Sequence, residues 1–225
     1  MIEGLHRAAR GELADLAVDV APRLLGGVLE TELDDGVVAV RITEAEAYHG
    51  AGSGDMPDPG SHARMGRTAR NATMWGEAGH LYVYLSHGIH SCVNTVCGPE
   101  GRGDGVLLRA GEVVRGADVA LRRRSARGVA RSGRDLARGP GRLGQAVGLR
   151  HPDHDGIDAI GSVPRAGAVA RLWIRDEPLA DVARGPRVGV AGIAGTAAFP
   201  WRFWIPGDST VSPFRAGRGA VMSES

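Results

Sequence analysis

An apolar run leading into two glutamates constrains this chain more than any other feature. Val37-Val-Ala-Val40 is followed directly by Arg41-Ile-Thr-Glu-Ala-Glu-Ala-Tyr48. Its β-branched residues and its alternation predict a strand. Side chains two apart on a strand share a face, so Val38, Val40, Ile42, Glu44, Glu46 and Tyr48 line one side. That side begins in a core and ends in two carboxylates and a phenol. A strand that carries acids out of a core suits the wall of a pocket. The plainer reading is an edge strand whose polar end meets water.

The chain has 225 residues, 43% of them hydrophobic, enough for one globular domain with a sizeable core. Cys92 and Cys97 are too few for a disulfide framework. No signal peptide and no long apolar segment is evident, which predicts a soluble cytoplasmic protein with no membrane partner. All 27 basic side chains are arginine, and the net charge is +1. That small value conceals polarity along the chain. Residues 1–60 carry four arginines against twelve acids, whereas residues 106–138 carry nine against three. A basic segment from Leu121 to Arg138, opened by Arg122, Arg123 and Arg124, is a candidate phosphate footprint. Its alternative is a solvated segment in an arginine-rich chain.

Leu13, Leu16, Ala17, Val20 and Leu24 recur at helical spacing, interrupted by Pro22 and closed by Gly26-Gly27. Strands are expected over Val28–Leu33 and Gly36–Tyr48, around a turn at Asp34-Asp35. Residues 49–79 are loop-like, and a loop this long in a compact domain is often functional. Leu81–Leu85 and Ile89–Val96 form a hairpin pattern about Ser86-His87-Gly88, with Tyr82 and Tyr84 on one face. A third strand is expected at Val106–Arg109. Helices are expected over 111–124 and near 128–149, and further strands at Arg187–Val190 and Trp201–Ile205.

Several of these motifs together carry a resemblance. They are Glu44-Ala-Glu-Ala-Tyr48, Ser61-His-Ala-Arg64, Arg70-Asn71, Gly79-His-Leu-Tyr-Val-Tyr84, Asn94 and Gly103-Asp-Gly-Val-Leu-Leu-Arg109. Gly139-Pro-Gly-Arg-Leu-Gly-Gln-Ala146, Arg187-Val-Gly-Val190 and Pro200-Trp-Arg-Phe203 extend the series. In order and spacing it resembles the alkyladenine (3-methyladenine) DNA glycosylase family over roughly residues 16–212, with both chain ends expected to be flexible.

The resemblance implies a single-domain α/β (α+β) fold with a mixed, largely antiparallel curved sheet. It implies a likeness to the formyltransferase C-terminal domain and a protruding β-hairpin that enters DNA. It also implies a monomeric enzyme that needs no cofactor and no metal. Its partner would be damaged double-stranded DNA, with nucleoid association if the source is bacterial. By the same likeness, Glu46 is the general base that activates water, with Arg109 and the Val188 backbone carbonyl holding that water. Tyr48, His62 and Tyr84 would stack about a flipped purine, and Asn94 would crowd the amino group of normal guanine. His87 would be the wedge at the hairpin tip, supported by Tyr82 and Ile89, with Arg64 and the Arg122–Arg124 run on DNA. His87 and His90 stand where the family favours aromatics.

The residue types suit this chemistry. Cleaving an N-glycosidic bond builds positive charge on the sugar, and one ionised carboxylate can stabilise it and take a proton from water. An N-alkylated purine is already cationic, which favours electron-rich rings around it. Enzymes that also cut the backbone use an amine to form an imine, and this chain has no lysine. Three rival readings stay open at this stage. Glu44 and Glu46 sit roughly 6–7 Å apart along a strand, near the carboxyl separation of inverting sugar hydrolases. A non-enzymatic nucleic-acid binder could use the arginine segment alone. His87, His90, Cys92 and Cys97 are metal-ligand types, but His87 and His90 would point to opposite faces of a strand.

Overall fold

The computed structural model describes residues 3–54, 56–125 and 132–220. Arg127 and Arg131 of the basic segment, and the extreme ends expected to be flexible, lie outside the described residues. In chain order the elements begin with β1 (Leu5–Arg7), α1 (Ala17–Arg23), β2 (Val28–Leu33) and β3 (Gly36–Tyr48). After a long loop come β4 (His80–Ser86), β5 (His90–Cys97), β6 (Asp104–Arg115) and α2 (Ala117–Ser125). Then follow β7 (Ala137–Arg138), α3 (Pro140–Val147), β8 (Ile157–Asp158), β9 (Val169–Arg175), β10 (Ala183–Gly185) and β11 (Arg202–Trp204).

The strands form one curled sheet in the order β1-β9-β2-β3-β6-β5-β4-β8, with β11 added to β3, β10 to β11, and β7 to β6. Every named strand pairing is antiparallel. The sheet is therefore less mixed than expected. β3 is its axis. Along one edge it pairs first with β2, through Gly36–Arg41, and then with β11, through Glu44–Glu46. Along the other edge it pairs with β6, from Ala39 to Tyr48. The glutamates thus lie where β3 has left β2, flanked by β11 and β6. This is not the end of an edge strand.

Pleating puts Val38, Val40 and Ile42 into the main core, with Leu24 and Leu25 after α1, Leu143 and Val147 of α3, and Leu172 of β9. Pro22 is accepted in the last turn of α1, near the end of a helix that closes at Arg23. A smaller cluster of Ala63, Met74, Tyr82 and Val96 lies under the long loop and gives it a floor. α3 lies against β5 because Gly144 has no side chain. A Cβ there would stand 2.0 Å from the Ser91 carbonyl.

Three expectations are corrected. The segment 111–115 is strand, because it pairs with Ala39–Ile42 of β3. The helix starts only after Gly116, which takes φ +74° and abuts the Val37 carbonyl. The helix expected near 128–149 is confined, among the described residues, to α3. Arg187–Val190 is not a strand; β10 and β11 pair instead, and β11 is shorter than expected. β9 is an addition to the expected strands, although Val169–Arg175 alternates half-buried and buried along its length. Among the described residues, no helix is long and apolar enough to cross a membrane.

Candidate active site

The cleft grows out of sheet register. Glu46 pairs with Leu107, Leu107 with Asn94, and Asn94 with Tyr82. These four residues form one row across β3, β6, β5 and β4, and all four line a cleft of about 750 Å³. Tyr48 and Tyr84 stand two positions further along their strands on the same side. The long loop adds His62 to one wall, and Val188 and Gly189 form another.

A bulge aims Arg109. Glu44 pairs with Ala110 and Ala45 with Leu108, so Arg109 is the extra residue between them. Bulges commonly re-aim a side chain in this way. The Nε of Arg109 lies 2.9 Å from Glu44 and 3.5 Å from Glu46. Burial opposes its charge, but Glu46 and Glu44 hold the guanidinium above its ordinary pKa.

The two glutamates are both wholly buried, yet their surroundings differ. Glu44 accepts from Arg109 at 2.9 Å, Arg202 at 2.6 Å, the Ser212 amide at 2.7 Å and the Ser212 hydroxyl at 3.0 Å. It is saturated and faces structural partners. Glu46 accepts from the Tyr48 hydroxyl at 2.9 Å and the Val188 amide at 2.7 Å, and it lines the cleft. Burial first, and the Glu46 charge second, raise the Tyr48 pKa well above normal, so its hydroxyl remains a donor to Glu46. The expectation for Val188 concerns its carbonyl and a water; the structure adds a different contact, from its N–H to Glu46.

His62 and Tyr84 meet edge to face with centroids 4.7 Å apart, and Tyr84 stacks on Tyr82 at 5.4 Å. Burial pushes the Tyr82 phenol up to about 12. Loss of water, then the charges of Arg70 and Arg64, hold the His62 imidazole below its usual value. The walls are therefore neutral and aromatic near neutral pH. Asn94 is turned by its own bond to the Tyr82 carbonyl, at 3.0 Å.

His87 tips the β4–β5 hairpin with φ +50°, followed by Gly88 at φ +70°, and the turn closes by Ile89 N–H to the Ser86 carbonyl at 3.0 Å. Two successive left-handed residues match the strand twist. His87 is exposed and lines the cleft mouth. Ile89 is 58% exposed and lines a separate cavity of about 440 Å³ with Arg123 and Leu149. Tyr82 is buried, lines the cleft and stacks on Tyr84 of the same hairpin strand, β4.

The arginine run is largely occupied within the fold. Arg123 grips Asp35 and the carbonyls of Ala146 and Gly36. Arg124 is buried against Gln145. Arg122 pairs with Asp118 on the same exposed helix face. The exposed arginines around the cleft are instead Arg64, Arg70 and Arg215. Among the described residues no group of three or more His, Cys, Asp or Glu side chains gathers as a metal site.

The sequence alone gives no role to Asn71, Asp58, Arg187 or Ser212. Asn71 accepts from the amide of Thr68, which caps the 3-10 turn Ala69–Trp75, and donates to the carbonyls of His62 and Gly66, both at 3.1 Å. It thereby fixes the wall that carries His62. Its presence in the Arg70-Asn71 motif is the available signal. Asp58 and Ser212 have none, because the charged groups they hold, Arg187 and Glu44, are more than a hundred residues away.

Residues 12–209 match the model of the methylpurine-DNA glycosylase family. A protein of Leifsonia xyli is 50% identical over 212 residues, covering 94% of each chain. One of Streptomyces avermitilis is 49% identical over 88% of this chain and 87% of its own length. One of Nocardia farcinica is 48% identical over 89% and 90%. All three are named for 3-methyladenine DNA glycosylase activity.

Proposed function

The chain belongs to the methylpurine-DNA glycosylase family, and from that premise we propose that the Glu46 cleft receives a damaged purine turned out of duplex DNA and hydrolyses its glycosidic bond. The observation that carries this reading is the contrast between the glutamates. Glu44 has its oxygens taken by Arg109, Arg202 and Ser212, while Glu46 faces the cleft. Only one carboxylate is free to meet a water, which favours N-glycoside hydrolysis over a two-carboxylate sugar hydrolase. A pure binding module would have no use for a buried, pre-oriented carboxylate in its cleft.

In this reading the target base stacks among Tyr48, His62 and Tyr84, because an enzyme cannot reach the bond inside the stack. Glu46 takes a proton from water as that water attacks C1′, and its charge steadies the positive sugar. Tyr48, Val188 N–H and Arg109 keep its carboxylate in place. Asn94 stands on the cleft floor to exclude the amino group of guanine by clash. His87 fills the gap left in the duplex. With no lysine in the sequence, no side-chain amine competes with water, and the product is an intact strand with an abasic site. Single-turnover incubation with duplexes carrying one 7-methylguanine, ethenoadenine or hypoxanthine tests the reading. Free base with an unbroken strand is expected from at least one of them. Release from none, or strand cleavage with imine trapping by borohydride, would contradict it.

Two further outcomes are expected. The pKa of His62 lies below its ordinary 6.5, so the ring is neutral at pH 7 and charges only as pH falls below that value. A protonated His62 would repel a cationic base. Excision of 7-methylguanine should therefore fall on the acid side more than excision of neutral hypoxanthine, and His62→Phe should remove the difference. Parallel profiles would place His62 off the base.

The second concerns the hold on phosphates. Replacing Arg64, Arg70 and Arg215 together by Ala should flatten the slope of log affinity against log salt by about 0.9 for each phosphate no longer neutralised. Arg123→Ala should instead lower melting temperature with little change in slope. The opposite pattern would move the DNA footprint to α2.

A further inference from the structure

Arg187 is the largest side chain with no exposed surface. Its guanidinium pairs with both oxygens of Asp58 at 2.7 Å and donates to the carbonyls of Ala47 at 3.0 Å and Ala194 at 3.2 Å. Its carbon lies 4.4 Å from the Tyr48 ring centroid. Tyr48 lines the cleft and Arg187 does not. The covered face of the ring is therefore the one turned away from the cleft. The next peptide, Val188 N–H, holds Glu46 at 2.7 Å.

A cation behind an aromatic ring draws its electrons rearward and weakens the attraction of the front face for a second cation. The two positive charges also repel directly through a medium less polar than water. Asp58 cancels much of this field without removing it, since the guanidinium lies against the ring. We propose that the Arg187–Asp58 pair sets the preference of the cleft between cationic and neutral damaged purines. It restrains the bias of the aromatic walls toward N-alkylated cations and so admits neutral lesions. This rests on reading the cleft as a base pocket.

The measurement is the ratio of single-turnover release rates for 7-methylguanine and hypoxanthine in otherwise identical duplexes. Disruption of the Val188 hydrogen bond to Glu46 would slow both rates and cancel in the ratio. Arg187→Gln removes the cation and should raise the ratio about threefold or more. Asp58→Asn leaves the cation unopposed and should lower it. Asp58→Glu should restore the wild-type value. A buried charge stripped of its partner destabilises a fold, whereas replacing both partners by apolar residues is often tolerated. The double variant Arg187→Met with Asp58→Leu therefore covers the case in which a single variant does not fold, and it too should raise the ratio. An unchanged ratio in the double variant, or shifts of the same sign in Arg187→Gln and Asp58→Asn, would reduce Arg187 to scaffold and overturn the proposal. Absence of release of either base by the wild-type enzyme would overturn the proposal, and absence of ethenoadenine release as well would overturn the pocket reading itself.

Discussion

Glu46→Gln is expected to bind a lesion duplex with near wild-type affinity and to lose base release by about 10²–10⁴-fold. The amide is nearly isosteric. Its carbonyl can still accept from the Val188 N–H or the Tyr48 hydroxyl, which now lie 2.7 Å and 2.9 Å from the carboxylate. What it cannot do is take a proton from water or oppose positive charge on the sugar. The loss should therefore appear in the chemical step, with binding spared. Single-turnover release and equilibrium binding, measured on the same duplex, separate the two. Equal losses in both would mean that Glu46 organises the cleft without acting on the water.

Glu44→Ala should act in the opposite way, on stability. Its carboxylate lies between Arg109 and Arg202 and also takes both donors of Ser212. Removing it strips the buried Arg202 of its ion-pair partner and leaves Arg109 with Glu46 alone. Breaking a buried pair on one side typically costs about 3–5 kcal/mol, which for a chain of this size corresponds to roughly 10 °C in melting temperature. Calorimetry is the direct check. Glu44→Gln should be milder, because an oxygen acceptor remains. A Glu44→Gln protein that melts normally but releases no base would make Glu44 a reacting group and revive a two-carboxylate mechanism.

How far the sequence announces this site depends on whether a feature is local. The alternation from Val37 to Tyr48 marks β3 as a strand but not its faces, because the register shift between Ile42 and Glu44 sends Ala45 and Ala47 to the core side with Val40 and Ile42, and Glu46 and Tyr48 to the cleft; the hairpin about His87 is legible from its Ser-His-Gly turn. Both follow from periodicity and turn chemistry within about a dozen residues. The same alternation sets Glu44 and Glu46 on one face but cannot say which is free. That distinction comes from Arg202 and Ser212, more than 150 residues away. The bulge at Arg109 is invisible too, because it is a mismatch between two strands and belongs to neither alone. The arginine run is hard to read for a related reason. Its charge is visible, but its partners Asp35 and Gln145 lie on other elements. The segment 111–115 reads as helix because local pattern does not register the pairing with β3 that holds it extended.

The central claim is positional: the damaged base enters the cleft of Tyr48, His62 and Tyr84, with its sugar presented to residue 46. The most direct test is a crystal structure of the Glu46→Gln protein bound to a duplex with a single ethenoadenine. The account predicts the base out of the helix and between those rings, His87 in the gap it leaves, and a water between the substituted amide and C1′. A base still stacked in the duplex, or one lodged in the second cavity beside Arg123 and Leu149, would contradict it.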